Sequence, residues 1–451
     1  MSNNRLNVTS AVLHIQRQRY RPRKLARSLL AALLLTFTAA CGTLIERVRV
    51  SNFPSPVAYV TAGPLPQASP TPTLLPLAKP TDLPATVVPK KLPLDSTSAI
   101  GLWSDRITDT QAFTGVVDVA TGNASLAMQK TDLALVSLNE RQVYTGYGDT
   151  ITDVVANHRD WVLYDRNGKA TYSSGDNSQP LLNIRNSEVI TQLADDVHKL
   201  VYDGRYDGIL ITGVGNDLIR SNTPPMITGT NKFTDKQRQD AVEVLLRAIR
   251  TSVPDKLLII GGYAWQDGAA YSAKPSATQD LGSIGDGVYI DQFLRAPISS
   301  TTSFKSESDW KKDIDYLAAI SQDGKIVLIS TRIANTGVST DTAKQWLNYS
   351  VASYLLGKNG NRTYFQFDLA GTLAYANDPV LTAPIGSPQE GYTKLSSGIY
   401  RRLFSNGIVL VNPTGESKNT QFDTGYHLPG GTESITKVTM SAHTGLVLLK
   451  P

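Results

Sequence analysis

Acidic side chains occur at or just after the ends of several short apolar segments of the chain, where they could transfer protons. They are Asp105, Asp165, Asp291 and Asp368. Other segments of the same kind are followed by polar or aromatic residues, namely Glu140, Thr212, Tyr263, Trp265 and Arg332. A pair of carboxylates supplies the acid and the base or nucleophile of glycoside hydrolysis, and aromatic rings stack on the apolar face of a sugar. These residue types predict a carbohydrate site, provided that the segments end at one place.

Asp291 is the strongest catalytic candidate, because an unpaired carboxylate at the end of an apolar segment is costly unless it has a role. The other three acids each have a structural alternative. Asp165 begins the turn sequence Asp-Arg-Asn-Gly. Asp368 could pair with Arg332, and Asp105 could be a surface acid. The sequence leaves open which acid is the partner of Asp291.

Other chemistries find little support in the composition. The five histidines are scattered, with no pair spaced four residues apart, and the chain has one cysteine. We therefore expect no metal site and no cofactor. No G-x-S-x-G motif indicates a serine hydrolase. The seven basic residues among residues 1–40 exceed the whole net charge of +5, so the remainder is slightly acidic and nucleic acid is not expected as a partner.

The apolar segments predict the architecture that would hold these side chains. They do not alternate with polar residues, which is typical of strands buried on both faces of a parallel sheet. The eight predicted strands are residues 100–104, 133–138, 161–165, 208–212, 257–261, 287–291, 325–330 and 364–368. Amphipathic patterns between them predict helices over residues 186–201, 234–253, 306–320 and 340–356.

Eight strands alternating with helices over residues 96–390 predict an α/β fold of the (β/α)8 TIM-barrel class. In such barrels the site lies at the carboxyl ends of the strands. A doubly wound open sheet is the alternative. It is disfavoured because no strand is followed by a complete G-x-G-x-x-G motif, since Gly213-Val-Gly215 lacks the third glycine.

The last part of the chain, residues 391–451, has a different pattern of predicted secondary structure. Strands without long helices between them are predicted at residues 399–404, 408–411, 435–440 and 446–449. Asn406-Gly407 and Pro429-Gly-Gly431 supply turns. We expect a small antiparallel β domain that caps the barrel.

The N-terminus has the layout of an export signal. Basic residues up to Arg27 precede an apolar segment from Leu29 to Ala40, which is too short to span a bilayer. The following Cys41 resembles the lipidated cysteine of a bacterial lipoprotein. The resemblance implies a signal peptide over residues 1–40 and attachment to the membrane by lipid at Cys41. An ordinary secretory signal or an uncleaved anchor is the alternative.

Residues 41–95 are rich in proline, which favours an extended linker. Together with the signal, this linker predicts a protein of the cell envelope. The protein would be lipid-anchored on the outer side of the cytoplasmic membrane, or extracellular.

Four segments resemble the glycoside hydrolase-like TIM-barrel families, of the type called glycoside hydrolase-like 15. They are residues 161–169, 206–212, 286–291 and 398–413, and the last resembles the ending R-x-F-x-N-G-x-V-x-V-N-P of those proteins. The resemblance implies a barrel with a C-terminal β domain, and activity on a polysaccharide or oligosaccharide.

The chain departs from this family pattern at two positions. Thr212 stands where the family has Asp at the end of strand four, and Asp291 stands where it has Glu at the end of strand six. Thr212 cannot act as an acid near neutral pH, and Asp217 lies five residues further on. The main hypothesis is a lipid-anchored glycoside hydrolase. A glycan-binding barrel without catalysis is the first alternative, and a structural lipoprotein that binds a partner is the second.

Overall fold

The structure is a computed structural model, and all the residues it describes lie within residues 78–451. The described residues are 100–105, 119–121, 133–138, 158–172, 180–212, 226–228, 231–232, 235–261, 284–371, 375 and 377–451. The residues between these ranges are not described. Cys41 and the predicted signal and linker lie outside these ranges. The domain boundaries that the sequence predicts therefore stay predictions.

The described elements alternate between strands and helices in the first part and are mostly strands in the last. The strands are β1 (Gly101–Ser104), β2 (Val119–Thr121), β3 (Leu133–Leu138), β4 (Gly208–Ile211), β5 (Met226–Thr228), β6 (Asn231–Lys232), β7 (Leu257–Gly261), β8 (Gly287–Ile290), β9 (Ile326–Ile333), β10 (Thr363–Leu369), β11 (Thr393–Lys394), β12 (Tyr400–Phe404), β13 (Gly407–Asn412), β14 (Lys418–Tyr426), β15 (Ile435–Met440) and β16 (Thr444–Leu449). The helices are α1 (Ser187–Asp203), α2 (Asp235–Ser252), α3 (Glu307–Gln322) and α4 (Thr340–Gly357).

Eight parallel strands close into a barrel, which confirms the predicted fold class. Around the barrel the strands follow one another in chain order, β1, β2, β3, β4, β7, β8, β9 and β10, and β10 pairs with β1 to close the ring. Every neighbouring pair is parallel. All carboxyl ends therefore meet at one rim, as the carbohydrate-site prediction requires.

The prediction that residues 161–165 form the third barrel strand is wrong. Residues 161–165 form one arm of an antiparallel hairpin, with bridges from Val162 to Leu182 and from Tyr164 to Ala170. The apolar side chains of this arm pack in the cluster that also contains helix α1 residues such as Val189. A segment buried against a helix has the same continuous apolar pattern as a barrel strand. The second barrel strand is instead β2, which has three residues and too short a pattern to be recognised.

The four predicted helices are confirmed, and three of them begin at side-chain caps. Asn186, Ser306 and Ser339 accept hydrogen bonds from the backbone amides of Glu188, Asp309 and Thr342. Inside the barrel, alternate strand residues form a separate apolar cluster of Trp103, Leu135, Leu210, Leu257, Ile259, Tyr289, Ile326, Leu328 and Tyr364. The side chains between them pack outward against the helices.

The C-terminal β domain is also confirmed. Strands β11, β12, β13 and β16 form an antiparallel sheet, and β14 pairs with β15. The segment that resembles the family ending is structural. Arg402 donates hydrogen bonds to the carbonyl groups of Leu355, Leu356 and Lys358 at the end of α4. A Cβ atom at Gly407 would lie 2.3 Å from the Leu448 carbonyl oxygen, so the close pairing of β13 with β16 requires glycine.

Within the described ranges, no helix is long and apolar enough to cross a membrane.

Candidate functional site

The two-residue period of the strands brings the predicted acids to the barrel mouth. Trp103 and Tyr289 point into the barrel, so Asp105 and Asp291, two residues further on, point the same way above them. Arg332 and Asp368 follow the inward-facing Leu328 and Tyr364 by four residues. Thr212 stands two residues beyond Leu210. Three of the four predicted acids therefore meet at one rim.

These side chains line a cavity of about 360 Å³. Its described lining residues are Asp105, Ser137, Leu210, Thr212, Tyr289, Asp291, Pro297, Arg332, Ile333, Ala334, Asp368 and Gly371. Three carboxylates and one guanidinium are the charged groups among them. The lining combines apolar surface with a few convergent polar groups, as is typical of a small-molecule site.

Arg332 lies at the centre of the acidic residues. Its Nη2 atom is 2.6 Å from Asp105 Oδ2, its Nε atom is 2.8 Å from Asp291 Oδ1, and its Nη1 atom is 3.1 Å from Asp368 Oδ2. Burial by itself lowers the pKa of Arg332, but the attraction of Tyr289, Asp105 and Asp291 outweighs it and raises the pKa above its ordinary value. The guanidinium stays charged, and it reduces the repulsion between carboxylates that lie close together.

Asp368 is anchored and almost fully buried. Its side chain is 4% exposed, and its two oxygens accept hydrogen bonds from Arg332 and from the backbone amide of Gly371, at 3.1 and 2.8 Å. The pairing with Arg332 is the alternative that the sequence left open. This geometry suits a residue that holds the guanidinium in place.

Asp105 and Asp291 are more accessible, with side chains 25% and 40% exposed. Gln366 Nε2 donates to Asp105 Oδ1 at 2.9 Å, and Ser330 in turn donates to Gln366. Because Asp105 and Asp291 contact the same guanidinium at 2.6 and 2.8 Å, these two oxygens lie within about 8 Å of each other, below the upper limit of about 9.5 Å for glycosidase carboxyl groups. The pair can supply an acid and a base or nucleophile.

Tyr289 lies below this pair, and the prediction of site residues missed it. Its hydroxyl accepts a hydrogen bond from Arg332 Nη2 at 2.7 Å and donates one to Asp291 Oδ1. Burial raises the pKa of Tyr289 well above its ordinary value, and the neighbouring Asp291 adds to the effect. Gln366 was missed as well. Each of the two residues stands two positions before a predicted acid on the same strand, and this spacing could have revealed them.

Asp165 is not at the barrel mouth, so the prediction that placed it at a strand end there is wrong. It lies in the hairpin turn, where its Oδ1 atom accepts hydrogen bonds from the backbone amides of Asn167 and Lys169 at 2.8 and 2.9 Å. The bond from Lys169 is the main cause that lowers the pKa of Asp165 below its ordinary value. The turn sequence that begins at Asp165 explains this placement.

Glu140, Tyr263 and Trp265 lie outside the described residues, so their predicted roles in substrate binding stay predictions, as does that of Arg332. Thr212 lines the cavity, and its hydroxyl is 3.4 Å from the carbonyl oxygen of Leu138. No group of three or more metal-ligating side chains occurs in the part of the chain that the structure describes.

The opposite rim of the barrel carries charged residues with a structural role. Asp286 precedes β8 and accepts hydrogen bonds from Arg250 at 2.6 Å and from the backbone amide of Leu258 at 2.9 Å. Asp207 precedes β4 and accepts one from the amide of Ala134 at 2.7 Å. Both acids join neighbouring strands at their amino ends. This placement agrees with the general link of that rim to stability.

Several solved structures of glycoside hydrolases resemble this chain. The glycoside hydrolase domain of PelA from Pseudomonas aeruginosa is 11% identical, with 61% of this chain and 95% of that domain covered and a TM-score of 0.37. A noncanonic maltogenic alpha-amylase, AmyB from Thermotoga neapolitana, is 12% identical, with 78% and 98% covered and a TM-score of 0.44. An Anoxybacillus alpha-amylase is 14% identical, with 71% and 76% covered and a TM-score of 0.41.

No curated protein matches the chain in sequence. The model of one protein family, described as hypothetical glycosyl hydrolase family 15, matches residues 138–408, which is more than half of the chain. The match includes Thr212, Asp291, Arg332 and Asp368, while Asp105 precedes it. With a closed parallel barrel and a carboxylate site at its carboxyl rim, the chain belongs to the hypothetical glycosyl hydrolase family 15.

Proposed function

We propose that the protein is a glycoside hydrolase that acts on a polysaccharide or oligosaccharide through Asp291 and Asp105. The observation that carries the proposal is the contact of both carboxylates with one guanidinium at the edge of a cavity. The family match supports action on a glycosidic bond. The cavity has room for a sugar ring beside the two acids.

The two carboxylates have different surroundings, which suggests different roles. Both oxygens of Asp105 accept hydrogen bonds, from Arg332 and from Gln366, whereas the two donors to Asp291 share one oxygen. We assign the role of base or nucleophile to Asp105, whose carboxylate is held at both oxygens. Asp291 has the more exposed side chain, and its second oxygen carries the proton that is given to the leaving oxygen. Asp368 is a positioning residue that holds Arg332 from the other side.

Turnover on a panel of polysaccharides tests the proposal, with reducing ends as the measured product. We expect Asp291→Asn and Asp105→Asn each to lower kcat by about 10²- to 10⁴-fold, because general acid and base catalysis contributes that much. Asp165→Asn is the matched control, since it removes a carboxylate that does not line the cavity. Full turnover by either cavity variant would contradict the assignment of that residue.

Thr212 favours a second candidate, a barrel that binds glycan without hydrolysing it. This residue lines the cavity at the end of the fourth barrel strand, where the resemblance implies an acid. In this case calorimetry would detect binding of the wild-type protein to members of the polysaccharide panel, and none of them would be cleaved. Asp291→Asn would then change the affinity for glycan, and turnover would be absent from both the variant and the wild type.

We further propose that the protein is exported and carries lipid on Cys41. The basic residues, the short apolar segment and the position of the single cysteine support this. Expression of the full chain in bacteria with labelled palmitate tests it. We expect label in the wild-type protein and none in Cys41→Ala. Equal labelling of the two would contradict lipid attachment at Cys41.

A further inference from the structure

Two hydrogen bonds reach Asp291, and both end on the same oxygen. Arg332 Nε donates to Oδ1 at 2.8 Å, and the Tyr289 hydroxyl donates to the same atom. Asp105 differs, because Arg332 and Gln366 donate to different oxygens of its carboxylate. Among the residues that the structure describes, Asp291 Oδ2 accepts no hydrogen bond. Thus Oδ1 of the Asp291 carboxylate is held by two donors, and Oδ2 has no donor among the described residues.

Chemistry fixes the direction of the two bonds that Tyr289 makes. A guanidinium only donates, and a carboxyl oxygen that bears no proton only accepts, so the hydroxyl must accept from Arg332 and donate to Oδ1 of Asp291. Because burial raises the pKa of Tyr289, the hydroxyl keeps its proton at any pH at which the protein would work. Tyr289 is therefore a permanent donor to Asp291.

The ring of Tyr289 is held by two neighbours inside the barrel. It packs edge-on against Trp103, with ring centroids 5.1 Å apart and an interplanar angle of 81°. Gly261 on the adjacent strand β7 leaves space for it, since a Cβ atom there would lie 2.7 Å from the Cδ1 atom of the ring. The hydroxyl position is therefore set by the barrel interior and not by contact with solvent.

We propose that Tyr289 is a positioning residue that, together with Arg332, holds Oδ1 of Asp291 so that Oδ2 is the oxygen that reacts with substrate. The catalytic consequence rests on the proposed hydrolase function, whereas the placement of Asp291 does not. Tyr289→Phe removes the hydroxyl and keeps the ring. Tyr349→Phe is the matched control, because the Tyr349 hydroxyl on α4 is also buried and has no hydrogen-bond partner among the described residues.

The first measurement does not depend on activity. Carbodiimide labels protonated carboxyl groups, and peptide mass spectrometry gives the extent of labelling at Asp291 as a function of pH. We expect the labelling midpoint to be higher in Tyr289→Phe than in the wild type, because Oδ1 of Asp291 loses a donor. Tyr349→Phe should keep the wild-type midpoint. Gly261→Ala, which displaces the ring of Tyr289, should raise the midpoint as well.

The second measurement is turnover of a polysaccharide that the wild-type protein cleaves. We expect Tyr289→Phe to lower kcat by about 10- to 100-fold with KM changed by less than about twofold, and Tyr349→Phe to match the wild type. A midpoint and a kcat in Tyr289→Phe equal to those of Tyr349→Phe would overturn the proposal. A raised midpoint in a protein that cleaves nothing would support the positioning role and refute the hydrolase function.

Discussion

Two buried arginines, Arg332 at the barrel mouth and Arg402 at the junction of barrel and β domain, are surrounded by different acceptors. Arg332 contacts three carboxylates and a tyrosine hydroxyl. Arg402 contacts the backbone carbonyl groups at the end of α4, the carbonyl of Glu390 and the side chain of Asn359. The pKa shifts follow this difference, because attraction raises the pKa of Arg332 while burial lowers that of Arg402 to about 10.

The difference shows how a structural charge is distinguished from a functional one. Arg402 meets neutral dipoles at a helix C-terminus, which stabilise a cation and complete the hydrogen bonding of the helix end. Arg332 is surrounded by more negative charge than it can neutralise, and this excess lies beside a cavity. Charged groups that are held together at a cavity are the ones whose protonation can serve chemistry. Burial alone would have ranked the two arginines alike.

Replacing each arginine with methionine should give the largest effects and separate the two regions by their response to salt. We expect Arg332→Met to lower the free energy of unfolding by about 3–5 kcal/mol at pH 7, because it leaves close carboxylates without their cation. Added salt screens the repulsion between these carboxylates, so the deficit should shrink between about 0.05 M and about 1 M NaCl. Urea unfolding at both salt concentrations measures the change.

The matched variant Arg402→Met should lower the free energy of unfolding by about 3 kcal/mol, because backbone carbonyl groups lose their donor. These carbonyl groups carry no net charge, so the deficit should be the same at both salt concentrations. A salt-dependent deficit in Arg402→Met, or a constant one in Arg332→Met, would remove the distinction between the two arginines.

The next largest effect compares the two rims of the barrel. Asp368→Asn keeps the shape of the side chain, but its amide nitrogen then faces either Arg332 Nη1 or the amide of Gly371. We expect kcat to fall about 10-fold with little change in KM, because the guanidinium loses its anchor. Asp286→Asn at the amino rim should destabilise the protein by about 2–4 kcal/mol without changing kcat of the folded molecules. Steady-state kinetics and urea unfolding measure both variants.

A smaller effect is expected when the acid absent from strand four is introduced. Thr212→Asp adds a fourth carboxylate to a site with one guanidinium, so we expect a loss of about 1 kcal/mol in stability. We expect turnover within about threefold of the wild type, because Asp105 and Asp291 already supply a pair. Thr212→Val is the control for loss of the hydroxyl. A large gain of turnover in Thr212→Asp alone would indicate that the natural chain binds glycan and does not cleave it.

The sequence was sufficient to predict the barrel because most of its strands carry long apolar segments separated by capped helices. Two errors in the predicted strands, the false strand at residues 161–165 and the missed β2, have one cause. Residues 161–165 have the apolar pattern of a strand because they pack against α1, whereas β2 has three residues and no pattern of its own. A burial pattern records that a segment is covered, and it does not record whether a strand or a helix covers it.

Part of the site could be predicted for a similar reason. Asp105, Asp291 and Asp368 are found at the mouth because parallel strands in a closed barrel must end at one rim. Their division into two exposed acids and one anchored acid depends on how one guanidinium is oriented between them. That orientation is a property of packing in three dimensions, so the spacing of residues along the chain cannot give it.

Replacing Asp165 should have the smallest effect, and it directly checks the placement of this residue in the hairpin turn and not at the barrel mouth. Its pKa is lowered in the folded protein by backbone hydrogen bonds, so it stabilises the fold above the unfolded pKa, and this stabilisation is lost as the pH falls through the folded pKa. Asp165→Ala should therefore lower Tm slightly at pH 7, and the difference from the wild type should vanish in acid. Calorimetric scans across this range measure it. Because Asp165 does not line the cavity, kcat should stay within about twofold of the wild type. A fall of two orders of magnitude in a variant with normal Tm would mean that the hairpin turn reaches the substrate, and that the carboxylate pair includes a residue from outside the barrel strands.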